Sequence, residues 1–197
     1  MKGWSIHRLC ILSLIFLVAC SDKSNIEQIK NISSNSSLRN NSSNPITDSC
    51  LYYQKSARQM DSTLLIAKKF DESIAIRANN LFVKCALICK NDSISPLYLM
   101  KAAQLSQTLN KINLSEKYLI KILEDYPKSK MIPATKFLLA QYYADINLLN
   151  QPGKAKDLFN EIIKDYPNTI WSENAAAAMK WVGKSDEEIL KELKKKK

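Results

Sequence analysis

The sequence predicts an all-α protein built from stacked helix pairs, and three observations carry that prediction. The first is an internal repeat. SEKYLIKILEDYP (115–127) returns forty residues later as AKDLFNEIIKDYP (155–167). In the second copy Ala155, Leu158, Phe159, Ile162, Ile163 and Tyr166 share one face at helical spacing, opposite Lys156, Asp157, Asn160, Glu161, Lys164 and Asp165. In the first copy the apolar face is Tyr118, Leu119, Ile122, Leu123 and Tyr126. Both copies close on Asp-Tyr-Pro, where the proline forces the residue before it out of the helical region. The second observation is composition: 46% apolar residues and only three glycines in 197 residues, without long alternating strand patterns. The third is that prolines stand where helices open, at Pro96 and Pro133. An internal repeat of this size indicates a solenoid rather than a closed globule.

The elements follow in order. Residues 1–19 read as a signal peptide: Lys2 and Arg8 supply charge, and residues 9–19 are apolar except for Ser13. That run is shorter than the roughly 20 residues needed to span a bilayer. Residues 20–49 form a cysteine followed by a Ser/Asn-rich tether, too poor in apolar groups to offset the entropy of ordering. The helical domain occupies 50–197. Its first helix is expected near 53–68 and its second near 72–89. Asn91, Asp92 and Ser93 make a turn. A helix opens at Pro96 and runs to about 109, Asn110 turns the chain, and the first repeat copy follows. Pro133 opens the next helix, through Phe137, Leu139, Ala140 and Tyr143. Asn150-Gln151-Pro152-Gly153 is read as a turn before the second copy. Capping helices are expected over 173–195, with Gly183 as a C-cap and a Ser185–Glu188 capping box.

The ending Leu17-Val18-Ala19-Cys20 resembles the bacterial lipoprotein signal. The resemblance implies lipidation of Cys20, which would become the acylated N-terminus. Each helix pair also resembles the tetratricopeptide repeat, a unit of about 34 residues. Leu139, Ala140 and Tyr143, then Ala155, Phe159 and Pro167, stand where that repeat wants its large, small, aromatic and closing residues. Ala102, Ala103, Leu119, Ile122 and Pro127 match in the preceding unit, with Ser106 and Ser115 as departures that stay small. The repeats fall at about 53–92, 96–127 and 133–167. The implied fold is an α-α superhelix of about three pairs plus caps.

Taken together, signal, tether and repeats resemble the tetratricopeptide outer-membrane lipoproteins of Bacteroidetes type, which are similar to the assembly lipoprotein of the β-barrel insertion machine. That resemblance implies a lipid-anchored, periplasm-facing, non-enzymatic scaffold at the outer membrane, whose partners are other proteins, among them barrel-assembly or other envelope components. A second reading is an adaptor or coordinator of envelope and cell-division complexes. The repeat's geometry aims Met100, Gln104, Gln107, Phe137, Gln141 and Ala144 at a partner-binding groove, with Phe137 and Met100 as apolar anchors. It leaves open which of the six are core.

The remaining residues argue mainly by exclusion. The one histidine, His7, lies in the signal segment, so the mature chain has none for Ser-His-Asp or Cys-His catalysis or for His-ligated metal. Two glycines remain, too few for a phosphate cradle. No catalytic residue, metal or cofactor is expected. The net charge of +10 comes without a basic stripe interleaved with aromatics, so no nucleic-acid partner is expected either. Cys85 and Cys89, one turn apart, read as buried packing residues. Cys50 reads as a free thiol or an intermolecular partner.

Overall fold

The structure is a computed structural model and describes residues 45–195. The signal segment, Cys20 and the tether as far as residue 44 lie outside the described residues. Among those described the chain is helical, without strands: α1 Pro45–Ile66, α2 Glu72–Cys89, α3 Ile94–Thr108, α4 Ile112–Asp125, α5 Ile132–Ala144, α6 Pro152–Asp165, α7 Ile170–Met179 and α8 Asp186–Lys195. Among the described residues, 45–184 form one compact unit, and α8 belongs to a second unit and is described by itself. From α1 to α7 each helix packs on the next, and α5 also reaches α7. This consecutive packing is compatible with an α-α superhelix.

Several boundaries differ from the sequence expectation. Helix α1 begins at Pro45, so residues 45–49, assigned above to the tether, are helical. Pro45 has the fixed φ of a first helical position, and Asp48 complements the dipole in the first turn. Pro152 and Gly153, read as turn residues, are the first two residues of α6 for the same reason. Pro96 is the third residue of α3, still within the turn whose N–H groups have no helical acceptor. The Ser185–Glu188 box forms as expected: the Glu188 N–H donates to Ser185 Oγ, and the Ser185 N–H donates to Glu188 Oε2 at 2.7 Å.

Helix ends reveal how a glycine-poor chain turns. Asn110, Asn150 and Asn168 take φ of 58°, 48° and 60°, the left-handed region usually left to glycine. Asparagine tolerates it because its short polar side chain bonds locally. Gly183, at φ 78°, does the same four residues after Met179; the C-cap of α7 is Lys180, so Gly183 turns the chain beyond the helix rather than capping it as expected above.

The two repeat copies bury equivalent positions. Ser115, Leu119 and Ile122 in α4, and Ala155, Phe159 and Ile162 in α6, are all without exposed area. Tyr126 and Tyr166 cap the two helices with nearly equal backbone angles, φ −132°, ψ 52° and φ −128°, ψ 51°. Their N–H groups donate to the Ile122 and Ile162 carbonyls at 3.1 and 3.0 Å. Pro127 and Pro167 follow, exposed. In the first helices Ala102, Ala103, Leu139, Ala140 and Tyr143 are buried. Ala103 and Ala140 have no exposed area, as expected of small residues that let two helices approach.

The cysteine reading is corrected. Cys50 and Cys89 form a disulfide joining α1 to α2, with Cα atoms 4.8 Å apart. Cys50 is thus no free thiol, and Cys89 is more than packing. The pairing depends on α1 starting at Pro45, which places Cys50 inside the helix and beside the last residue of α2. Cys85 stays a buried thiol, and burial pushes its pKa up to about 11.

Candidate functional site

The groove residues divide into two sets. Met100 and Phe137 are each only 5% exposed, so neither is an exposed anchor. Phe137 lies between Phe159 of α6, 5.7 Å between ring centroids, and Trp171 of α7, at 5.9 Å. Both spacings suit edge or tilted aromatic contact. The reason for the correction is that α5 is buried along most of its length: Phe137, Leu138, Leu139, Ala140, Tyr142 and Tyr143 are all in the core. Such a helix has little free face on which to hold an aromatic outside.

Gln104, Gln107, Gln141 and Ala144 are half-buried and reach solvent. The structure organises one of them closely. Tyr142 of α5, fully buried, donates its hydroxyl to Gln107 Oε1 of α3 at 3.0 Å. With its carbonyl oxygen so engaged, the Gln107 amide turns its NH2 away from Tyr142, with two N–H donors. Ser115 of α4 lies beneath, donating to the Ala103 carbonyl at 2.7 Å, with Tyr142 Oη 3.3 Å from its oxygen. Each hydroxyl has one proton. The short bonds to Ala103 and Gln107 use both, and the 3.3 Å contact is the weak member. Burial drives the Tyr142 pKa well above the usual phenol range, against the lowering effect of Ser115, so this hydroxyl stays a donor.

A second group sits where α4, α5 and α6 meet. The Tyr143 hydroxyl donates to Glu116 Oε1 at 2.7 Å, and the Lys154 ammonium lies 5.1 Å from the Tyr143 ring centre. Burial, and then the Glu116 carboxylate, raise the Tyr143 pKa. On α5 and α6, Lys136 pairs with Glu161 at 2.8 Å and Asp165 at 3.2 Å. Desolvation pulls the Lys136 pKa down, but the two carboxylates outweigh it and hold it above its usual value. These pairs align helices. They bring no nucleophile to a base, and among the described residues no group of His, Cys, Asp and Glu could hold a metal ion.

Sequence reasoning did not find a buried polar seam. Asn79 of α2 donates to the Ala102 carbonyl at 2.7 Å and to Ser106 Oγ at 2.8 Å. Ser95 donates to the Ala86 carbonyl at 2.8 Å. Ser106 and Ser115, noted above only as small departures from the repeat pattern, are thus the polar partners that hold α3 to α2 and α4. The available signal was a polar residue at positions the pattern makes core, since a buried polar group must be hydrogen-bonded.

Protein-family models, curated proteins and solved structures were compared with this chain, and none matches. Among the described residues no helix is long and apolar enough to cross a membrane.

Proposed function

We propose that this chain is a lipid-anchored, tetratricopeptide-like scaffold that binds other proteins on the face shared by α3 and α5. The observation that carries the reading is the Tyr142–Gln107 bond. It spends a buried hydroxyl on orienting a solvent-reaching amide, beside Gln104 and Gln141. Oriented amides suit the backbone carbonyls of a partner segment. The repeated tyrosine caps and matched burial of α4 and α6 support a repeat array. The disulfide supports export, since such bonds persist in oxidising compartments. Anchoring through Cys20 on the periplasmic side of the outer membrane, and a place in barrel assembly, follow from the signal and repeat resemblance. With Phe137 and Met100 in the core, recognition on this face is polar and Gln107 is its centre.

The test is co-purification from crosslinked membranes. Gln107→Ala is expected to lose the partner while keeping its helical content, and recovery of a barrel-insertase component identifies the machine. Full capture by folded Gln107→Ala rules out this face. For the anchor, palmitate labelling should vanish in Cys20→Ala.

A further inference from the structure

The last turn of α1 and the loop that joins it to α2 carry the densest exposed apolar group among the described residues. Leu65, Ile66 and Phe70 are 68%, 80% and 62% exposed, three large apolar side chains within six residues. Leu64, Ala67, Phe70 and Ile74 line one depression there, together with Lys68, Lys69 and Asp71. An isolated exposed leucine needs no explanation, but a contiguous apolar group rimmed by charge marks a contact surface.

We propose that this loop dips into the lipid surface that carries the anchor, with Leu65, Ile66 and Phe70 among the acyl chains and Lys68 and Lys69 at anionic headgroups. The inference rests on the anchored reading above. Two observations point to lipid as the occupant. The first is charge. Asp71 and Glu72 are nearby, but they serve α2: the Asp71 carboxylate accepts the Ile74 N–H at 2.9 Å and caps the helix, and Glu72 lies in its first turn. Those charges answer the positive helix end. Lys68 and Lys69 are left to face outward, and long basic side chains can keep their charge at headgroups while their stems lie along apolar matter. The second is reach. Helix α1, with 22 residues, is about 33 Å long and places Pro45 and the loop at opposite ends. Twenty-four residues, 21–44, separate Cys20 from Pro45, and a chain of that length reaches at most about 80 Å. Cys20 and the loop can therefore meet one bilayer with α1 upright. Tethering also makes a weak surface contact intramolecular, so three side chains suffice.

The experiment reconstitutes the full chain into vesicles of phosphatidylethanolamine and phosphatidylglycerol with brominated acyl chains. Tryptophan emission is read as a difference from the parent chain. Phe70→Trp is expected to lose most of its added emission, because bromine quenches only at close range. Leu87→Trp, on exposed α2 surface near the other end of that helix, is expected to keep it. Adding Ile66→Ser to the Phe70→Trp chain should lower the bound fraction of loop by about tenfold, the factor that one buried large apolar side chain is worth. Undiminished Phe70→Trp emission in vesicle-bound chain overturns the proposal. So does a Phe70→Trp blue shift that grows with protein concentration in the absence of lipid, which would assign the surface to a second copy. Palmitate labelling of the same preparation separates the two readings. Label without quenching removes the loop contact and keeps the anchor; quenching without label removes the anchor and keeps the contact.

Discussion

Helix pairs α3–α4 and α5–α6 share a frame and differ in what fills it. In both, second-helix positions 115, 119, 122 and 155, 159, 162 are fully buried, and a tyrosine closes the helix with the same backbone turn. In the first pair the filling is polar. Ser115 bonds the Ala103 carbonyl, Asn79 bonds Ala102 and Ser106, and a disulfide closes the neighbouring α1–α2 pair. In the second pair it is aromatic: Phe137 meets Phe159 and Trp171, and Tyr143 occupies the place that Ser106 holds in the first. The difference teaches that the small-and-large pattern sets how closely helices approach. The chemistry filling the gap is free to vary, provided that every buried polar group finds a partner.

The comparison can be broken most forcefully at Phe159. Phe159→Ala removes one arm of the aromatic cluster centred on Phe137 and is expected to cost about 4 kcal/mol by urea denaturation, against about 3 for the equivalent Leu119→Ala. Equal costs would mean that the aromatic filling adds nothing to the shared frame. Next in size is the staple. Replacing Cys50 and Cys89 with serine opens a loop across a sequence separation of 39 and is expected to cost about 3 kcal/mol. Hydrogen exchange should quicken in α1 and leave α5–α7 unchanged. A parent chain whose melting ignores reductant would show that the two thiols are not joined.

Alkaline pH gives a smaller, signed effect. Burial pushes the Cys85 thiol from an ordinary value of 9.0 up to about 11 and raises Tyr98 as well. Once unfolded, the thiol ionises near 9 while the folded protein keeps its proton. This contribution is therefore complete below about pH 9 and is lost as pH rises to about 11, for roughly 2 kcal/mol in all. Cys85→Ala should flatten that window without touching the later loss from Tyr142 and Tyr143, both raised further. An unchanged profile would remove the thiol from the account. Smallest is the exchange of the two fillings. Ser115→Ala should cost about 1 kcal/mol for the lost bond to Ala103. Ala155→Ser should gain nothing unless it finds an acceptor of its own. A loss of several kcal/mol at Ser115 would mean that the polar seam acts as one unit.

Much of this was legible in residue order. The repeat copies, their Asp-Tyr-Pro ends, the Ser185 box and the buried alanines rest on spacing of 3.6 residues and local capping, both of which are written within a turn or two of chain. The candidate site was legible only in part. Gln107 stood among the groove residues, but Tyr142, which orients it, was passed over because its role depends on α3 lying beside α5. Spacing alone does not separate core from groove at Phe137 and Met100, because which side of a helix faces out is set by the neighbours that pack on it.

The division between the two sources follows the range of the forces. The sequence by itself determined the helical class, the repeat and its closing turns, because hydrophobic period, proline and capping act locally. It also determined that residues 20–197 carry no histidine and only two glycines. Only the tertiary structure decided that Cys50 meets Cys89 across 39 positions, that Ser106 and Ser115 are hydrogen-bonding hubs, and that Phe137 lies inside while Phe70 lies outside. Each of those depends on which helix arrives next to which. That arrangement minimises exposed apolar area over the whole stack, so no single segment encodes it.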